Sequence, residues 1–128
     1  MKYLQSPNFR IMPMITLCAF GCGSAPQISY RDDVRPILVD KCTDCQLPPY
    51  GEGYRNTWLD MQNYESLMAG SIYGPVIQPG DSKASPLNML VEGRAGHLSR
   101  LLNNQHKPMT SQEIRILQLW VEQGARNN

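Results

Sequence analysis

The chain has 128 residues, with 12 Lys and Arg against 11 Asp and Glu, and 10 each of Gly and Pro. That length admits one domain and excludes a two-domain enzyme, and the balanced charge offers no basic cluster to grip a nucleic-acid backbone, so no nucleic-acid partner is expected. No apolar run reaches the roughly 18 residues of a membrane span, and with two Phe and two Trp a short, loop-rich chain is marginal without a staple or a cofactor.

Lys2 and Arg10 flank a weakly charged start, and residues 11–21 form an apolar run of secretory length. Small residues surround Cys22, with Gly21 before it and Gly23-Ser24-Ala25 after it. The site resembles a bacterial lipoprotein processing signal. Residues 1–21 then read as a signal peptide and Cys22 as the lipidated first residue. The mature chain would have 107 residues and a net charge of about −1. Residues 22–28 read as a tether, and residues 29–126 as the domain. The expected location is the periplasm or the outer face of a bacterial membrane, with the lipid as anchor.

A first helix is expected over residues 29–40, with Asp32 and Asp33 at its positive end. Pro36 is tolerated only near a helix start, where amides have no partner to lose. Val34, Ile37, Leu38 and Lys41 share a face. Residues 41–55 read as irregular, broken by Pro48-Pro49 and Gly51-Glu52-Gly53. Residues 58–61 read as extended. Asn63 caps a short helix over residues 64–69, closed by Gly70. Ser85 caps another, with Pro86 at its first position and Gly93 past its end. Residues 94–109 read as a long loop. Thr110-Ser111-Gln112-Glu113 is a capping box that opens a last helix, with Ile114, Leu117, Trp120 and Val121 as its buried stripe and Gly124 at its end. The pattern is all-α.

Cys42-Thr43-Asp44-Cys45-Gln46 carries the chemistry. A thioredoxin-type redox pair needs a strand before it and a helix after it, whereas here a helix precedes and a Pro-Gly loop follows. Zinc needs two more ligands, and His97 and His106 stand nine apart, wider than the usual spacing. A plain disulfide is open to an exported pair. Covalent haem attachment uses the same two thiols, usually followed directly by a ligating His; here Gln46 follows.

The order of segments around that pair has a likeness. Tyr30-Arg31-Asp32-Asp33-Val34-Arg35-Pro36-Ile37-Leu38 precedes it. Leu59-Asp60-Met61 with Tyr64-Glu65-Ser66-Leu67-Met68, then Gly74-Pro75-Val76-Ile77 and Pro79-Gly80-Asp81-Ser82, follow it. Thr110-Ser111-Gln112-Glu113-Ile114 through Trp120-Val121-Glu122-Gln123-Gly124-Ala125 closes the chain. Over residues 28–125 the sequence resembles a small class I c-type cytochrome domain of bacterial exported proteins. The resemblance implies a cytochrome c-like fold, with small helices and long loops around a haem crevice. It implies haem c held by Cys42 and Cys45, and a redox partner protein in the cell envelope. Gln46 stands at the family's ligand-His position. Leu101, followed by Leu102, stands at the family's Met-Pro position. Haem iron favours imidazole nitrogen or thioether sulfur, so His106, His97 and Met109 become the candidate axial ligands. Met89 reads as core.

Three functions follow from these residues. The first is haem binding with single-electron transfer. The second is a haem-free, cytochrome-derived binding module with a Cys42–Cys45 disulfide. The third is an open-iron haem site for a small gas or peroxide. No nucleophile and base pair points to an enzyme.

Overall fold

A computed structural model describes residues 25–97 and 107–128. Among the described residues every regular element is helical, and the one β-type contact is an isolated bridge between Ser71 and Gly74. The domain is all-α, as the sequence pattern implies. Among the described residues no helix is long and apolar enough to cross a membrane. The signal run, Cys22, Leu101, Leu102 and His106 lie outside the described residues.

The expected first helix divides in two at Pro36. Residues Tyr30–Val34 form a π-helical turn, and α1 follows at Arg35–Lys41. Proline has no N–H for an i→i−4 bond. The preceding turn widens instead, with the Val34 N–H reaching the Ser29 carbonyl at 3.1 Å and the Arg35 N–H reaching the Tyr30 carbonyl. Ser29 opens the turn by accepting from the Asp32 N–H at 3.2 Å, while its own N–H donates to the Asp33 carboxylate at 2.8 Å. Val34, Ile37 and Leu38 are buried, and Lys41 is half-buried on the same face.

Residues 41–55 are more ordered than their breakers suggest. Two short helices stand there, α2 at Thr43–Gln46 and α3 at Glu52–Thr57. The next helix, α4 at Tyr64–Ala69, has the expected Asn63 cap and ends at Gly70, whose φ of 82° suits glycine. Helix α5 spans Pro86–Val91. The Ser85 hydroxyl, expected to cap it, instead accepts from the Gln78 N–H at 2.8 Å and donates to the Asp81 carbonyl at 2.8 Å. Backbone groups of the preceding loop outcompeted the helix amide. The last helix, α6 at Ser111–Glu122, opens with both halves of the Thr110/Glu113 box in place.

The core gathers Val34 and Leu38 with Leu67, Leu117, Trp120 and Val121, all almost fully buried. Trp120 packs against Tyr30 at 5.6 Å between ring centroids and Tyr64 at 6.4 Å, and Tyr30 meets Tyr64 edge-on at 5.2 Å. The two ends of the domain are tied together over this cluster. Gln123 accepts from the Ile28 N–H at 2.8 Å, and the Asn128 side chain accepts from the Tyr30 N–H at 2.9 Å. The 76–85 loop is pinned too: the Gly80 N–H donates to the Val121 carbonyl at 2.7 Å, and the Ser82 hydroxyl to Glu122 at 2.9 Å.

Candidate functional site

The cysteine pair sits where α1 gives way to α2. The Cys42 N–H still bonds the Leu38 carbonyl at 2.8 Å, and the Gln46 N–H bonds the Cys42 carbonyl at 3.1 Å. The Thr43 hydroxyl reaches back to the Val39 carbonyl at 2.8 Å. Helical spacing of three puts residues 42 and 45 on one side of the turn. Helix α3 then folds down onto them. Gly51 approaches so closely that a Cβ there would stand 2.3 Å from the Cys45 carbonyl oxygen. Gly53 lies against both site side chains: its N–H donates to Cys45 Sγ at 3.2 Å, and a Cβ would stand 2.2 Å from Gln46 Nε2. The far side of that amide, Gln46 Oε1, is buried and has no hydrogen-bond partner among the described residues.

Cys42, Cys45 and Gln46 all line one cavity of about 420 Å³, a size ordinary for small-molecule and cofactor sites. Apart from Lys41, Thr57 and Ser71, its remaining walls are apolar, and most come from distant segments. Leu59 and Met61 arrive from the stretch after α3, Val76 from the pinned loop, and Leu87, Met89 and Leu90 from α5. Met61 is part of the packed core, whereas Met89 is half-buried and stands outside it. A second hollow of about 310 Å³ adjoins the first, sharing Lys41, Cys42, Leu90 and Val91, and is also walled by Lys107, Met109 and Ile114.

Burial pushes the Cys42 thiol up to about 11, the neighbouring Cys45 adds to the shift, and the Lys41 cation opposes it. Cys42 therefore stays protonated at neutral pH, unlike the activated thiolate of a disulfide oxidoreductase. The rim nearby is ion-paired. Lys41 meets Asp40 at 3.1 Å and Glu113 at 3.5 Å, and Lys107 meets Asp40 at 2.6 Å. Hydrogen bonds from Lys107 and then Lys41 hold the Asp40 carboxyl below its usual range, and the bond to Asp40 raises Lys41. The Thr110 backbone N–H lowers Glu113.

The structure thus brings Cys42, Cys45 and Gln46 together on one wall. Met109 lines only the adjoining hollow and packs against the core. His97 is exposed and lines neither hollow. Among the described residues no three His, Cys, Asp or Glu side chains converge. Met61 and Met89 were missed as cavity residues. A lone Met in an apolar run has no spacing signal, and only the fold brings these two to the cysteines.

The chain matches no protein-family model, no curated protein and no solved structure. The test of the site is therefore chemical. Two thiols one helical turn apart, both in the wall of a mostly apolar hollow, are the groups that covalent haem attachment uses. For an iron, the wall offers the orphaned Gln46 oxygen and the thioethers of Met61 and Met89. An amide oxygen is a hard, neutral donor, weaker toward haem iron than imidazole.

Proposed function

We propose that this chain is a cytochrome c-like exported domain that holds haem through Cys42 and Cys45 and passes single electrons to a partner protein in the cell envelope. The observation that carries the reading is the apolar cavity of about 420 Å³ with both cysteines and Gln46 in its wall. Leu59, Met61, Val76, Leu87 and Leu90 would exclude water from the bound group and supply the dispersion contacts. Bound haem would supply a one-electron iron couple. The chain's own contribution is burial, orientation and ligand choice. Gln46 presents an acceptor that no donor among the described residues satisfies, and a buried orphan of this kind is costly unless a partner meets it.

The same residues support a second reading, the haem-free module. Both thiols are free and sit within one helical turn, and the residue after them is Gln46. In that reading Cys42 and Cys45 form a disulfide and the domain serves as a binding module.

The visible spectrum and intact mass of the exported protein, made in a host that matures c-type cytochromes, decide between the two. A Soret band and a mass raised by one haem support the first reading. A mass lowered by two hydrogens, with no Soret band, overturns it in favour of the second. If haem is present, carbon monoxide or cyanide binding separates an open iron from a closed one. Gln46→His is expected to raise haem loading in the same host, and an unchanged Soret absorbance per mole of protein counts against the attachment reading.

A further inference from the structure

The cavity beside the cysteine pair gathers sulfur from four places in the chain. Cys42 stands at the junction of α1 and α2, Cys45 within α2, Met61 between α3 and α4, and Met89 within α5. All four line the same hollow of about 420 Å³, and among the described residues no His, Asp or Glu joins them in its wall. Both cysteines are free thiols. The helical turn fixes their backbone, with the Cys42 N–H on the Leu38 carbonyl at 2.8 Å and the Gln46 N–H on the Cys42 carbonyl at 3.1 Å. Cys45 Sγ is held further by the Gly53 N–H at 3.2 Å, and a donor on sulfur favours the thiolate over the thiol. Much of the remaining wall is aliphatic, from Leu59, Val76, Leu87 and Leu90.

That donor set selects among metal ions. Magnesium and calcium need several oxygen ligands, carboxylates above all, and this wall offers no carboxylate. Zinc fills its positions with thiolate, imidazole or carboxylate, four of them in a structural site, and only two such groups line the hollow. Thiolate and thioether together are soft donors, the kind that suits Cu(I). We propose that Cys42 and Cys45, with the thioethers of Met61 and Met89 in the same cavity, form a site for one Cu(I) ion. On binding, both S–H bonds break, two Cu–S bonds form and two protons leave to solvent, with no change of oxidation state. Cu(I) between two thiolates leaves a single negative charge. The Lys41 ammonium, itself paired with Asp40 and Glu113, stands in the same wall. The site rests on the haem-free reading with the pair reduced, and names the ligand that such a module would take.

The experiment uses the full chain, exported in a host that matures c-type cytochromes and checked first for a Soret band. The chain is then reduced with a phosphine under argon and titrated with Cu(I) bicinchoninate, whose colour fades as the protein withdraws the metal. The expected result is no Soret band and one Cu(I) withdrawn per chain. X-ray absorption at the copper edge shows sulfur neighbours only, and an equal concentration of Zn(II) leaves the copper in place. Cys42→Ser and Cys45→Ser each abolish the withdrawal. Met61→Leu and Met89→Leu, which conserve volume, weaken it several-fold with the circular dichroism unchanged. A Soret band overturns the haem-free reading and the site with it. A chain without that band which leaves the copper with bicinchoninate keeps the haem-free reading and overturns the site. Nitrogen or oxygen neighbours at copper, displacement by Zn(II), or undiminished affinity after both methionine changes overturns it as well.

Discussion

The two poles of this domain are built on different terms. At one pole Tyr30, Tyr64 and Trp120 interlock, the Trp120 indole N–H donates to the Arg126 carbonyl at 3.0 Å, and the Tyr64 hydroxyl to the Ala125 carbonyl at 2.8 Å. The side chains of Gln123 and Asn128 accept from the backbone N–H groups of Ile28 and Tyr30 and so tie the two segments over that cluster. Even there the buried Tyr30 hydroxyl has no hydrogen-bond partner among the described residues, and burial raises its pKa above the ordinary value. At the other pole, helices of four and six residues surround hollows of about 420 and 310 Å³. Short helices with little packed surface are at the low end of local stability, where ligand sites are usually found. The aromatic pole holds the fold, and the cysteine pole keeps the hollows.

That division can be broken most severely from the packed side. Trp120→Ala is expected to cost about 3–5 kcal/mol, as removal of a fully buried aromatic does, and to leave the chain largely unfolded by circular dichroism. Glycine substitutions probe the cysteine pole with smaller effects. Gly51→Ala meets backbone atoms of Cys45 and Leu47 that cannot swing aside, so denaturant melts should show a loss near the top of a range of about 1–3 kcal/mol. Gly53→Ala meets the movable ends of Gln46 and Cys45. Its stability loss belongs at the bottom of that range, about 1 kcal/mol, with haem loading falling further than the melt does.

The pH dependence sharpens the comparison in the haem-free chain kept reduced, with both cysteines as free thiols. Cys42 is raised in the folded state to about 11 from an ordinary value of 9.0. The folded chain then binds more protons between those values than the unfolded one. The contribution is complete below about pH 9 and is lost as pH rises toward 11. Allowing for partial burial, the loss is on the order of 1–2 kcal/mol, and Cys42→Ser should remove that part of the slope in alkaline melts. The mildest probe is Thr110→Ala. It deletes one half of the α6 capping box and should lower stability by about 1 kcal/mol, without changing the reactivity of either cysteine toward an alkylating reagent.

The sequence by itself determined what neighbours along the chain decide. The Asn63 and Thr110 caps, the Gly70 stop and, of the expected stripe, Leu117, Trp120 and Val121 stand where the sequence puts them, while Ile114 is only half-buried at the second hollow, because each cap and turn depends on groups within a turn or two. The closeness of Cys42, Cys45 and Gln46 was legible for the same reason. Tertiary structure alone decided the rest. It ordered α2 and α3 across a stretch full of breakers. It also set Met61, Val76 and Met89 around the cysteine pair and left the Gln46 oxygen without a donor. A hydrogen bond within a turn is encoded by spacing, but a cavity is made where segments far apart in the chain fail to fill the space between them, and no local pattern carries that information.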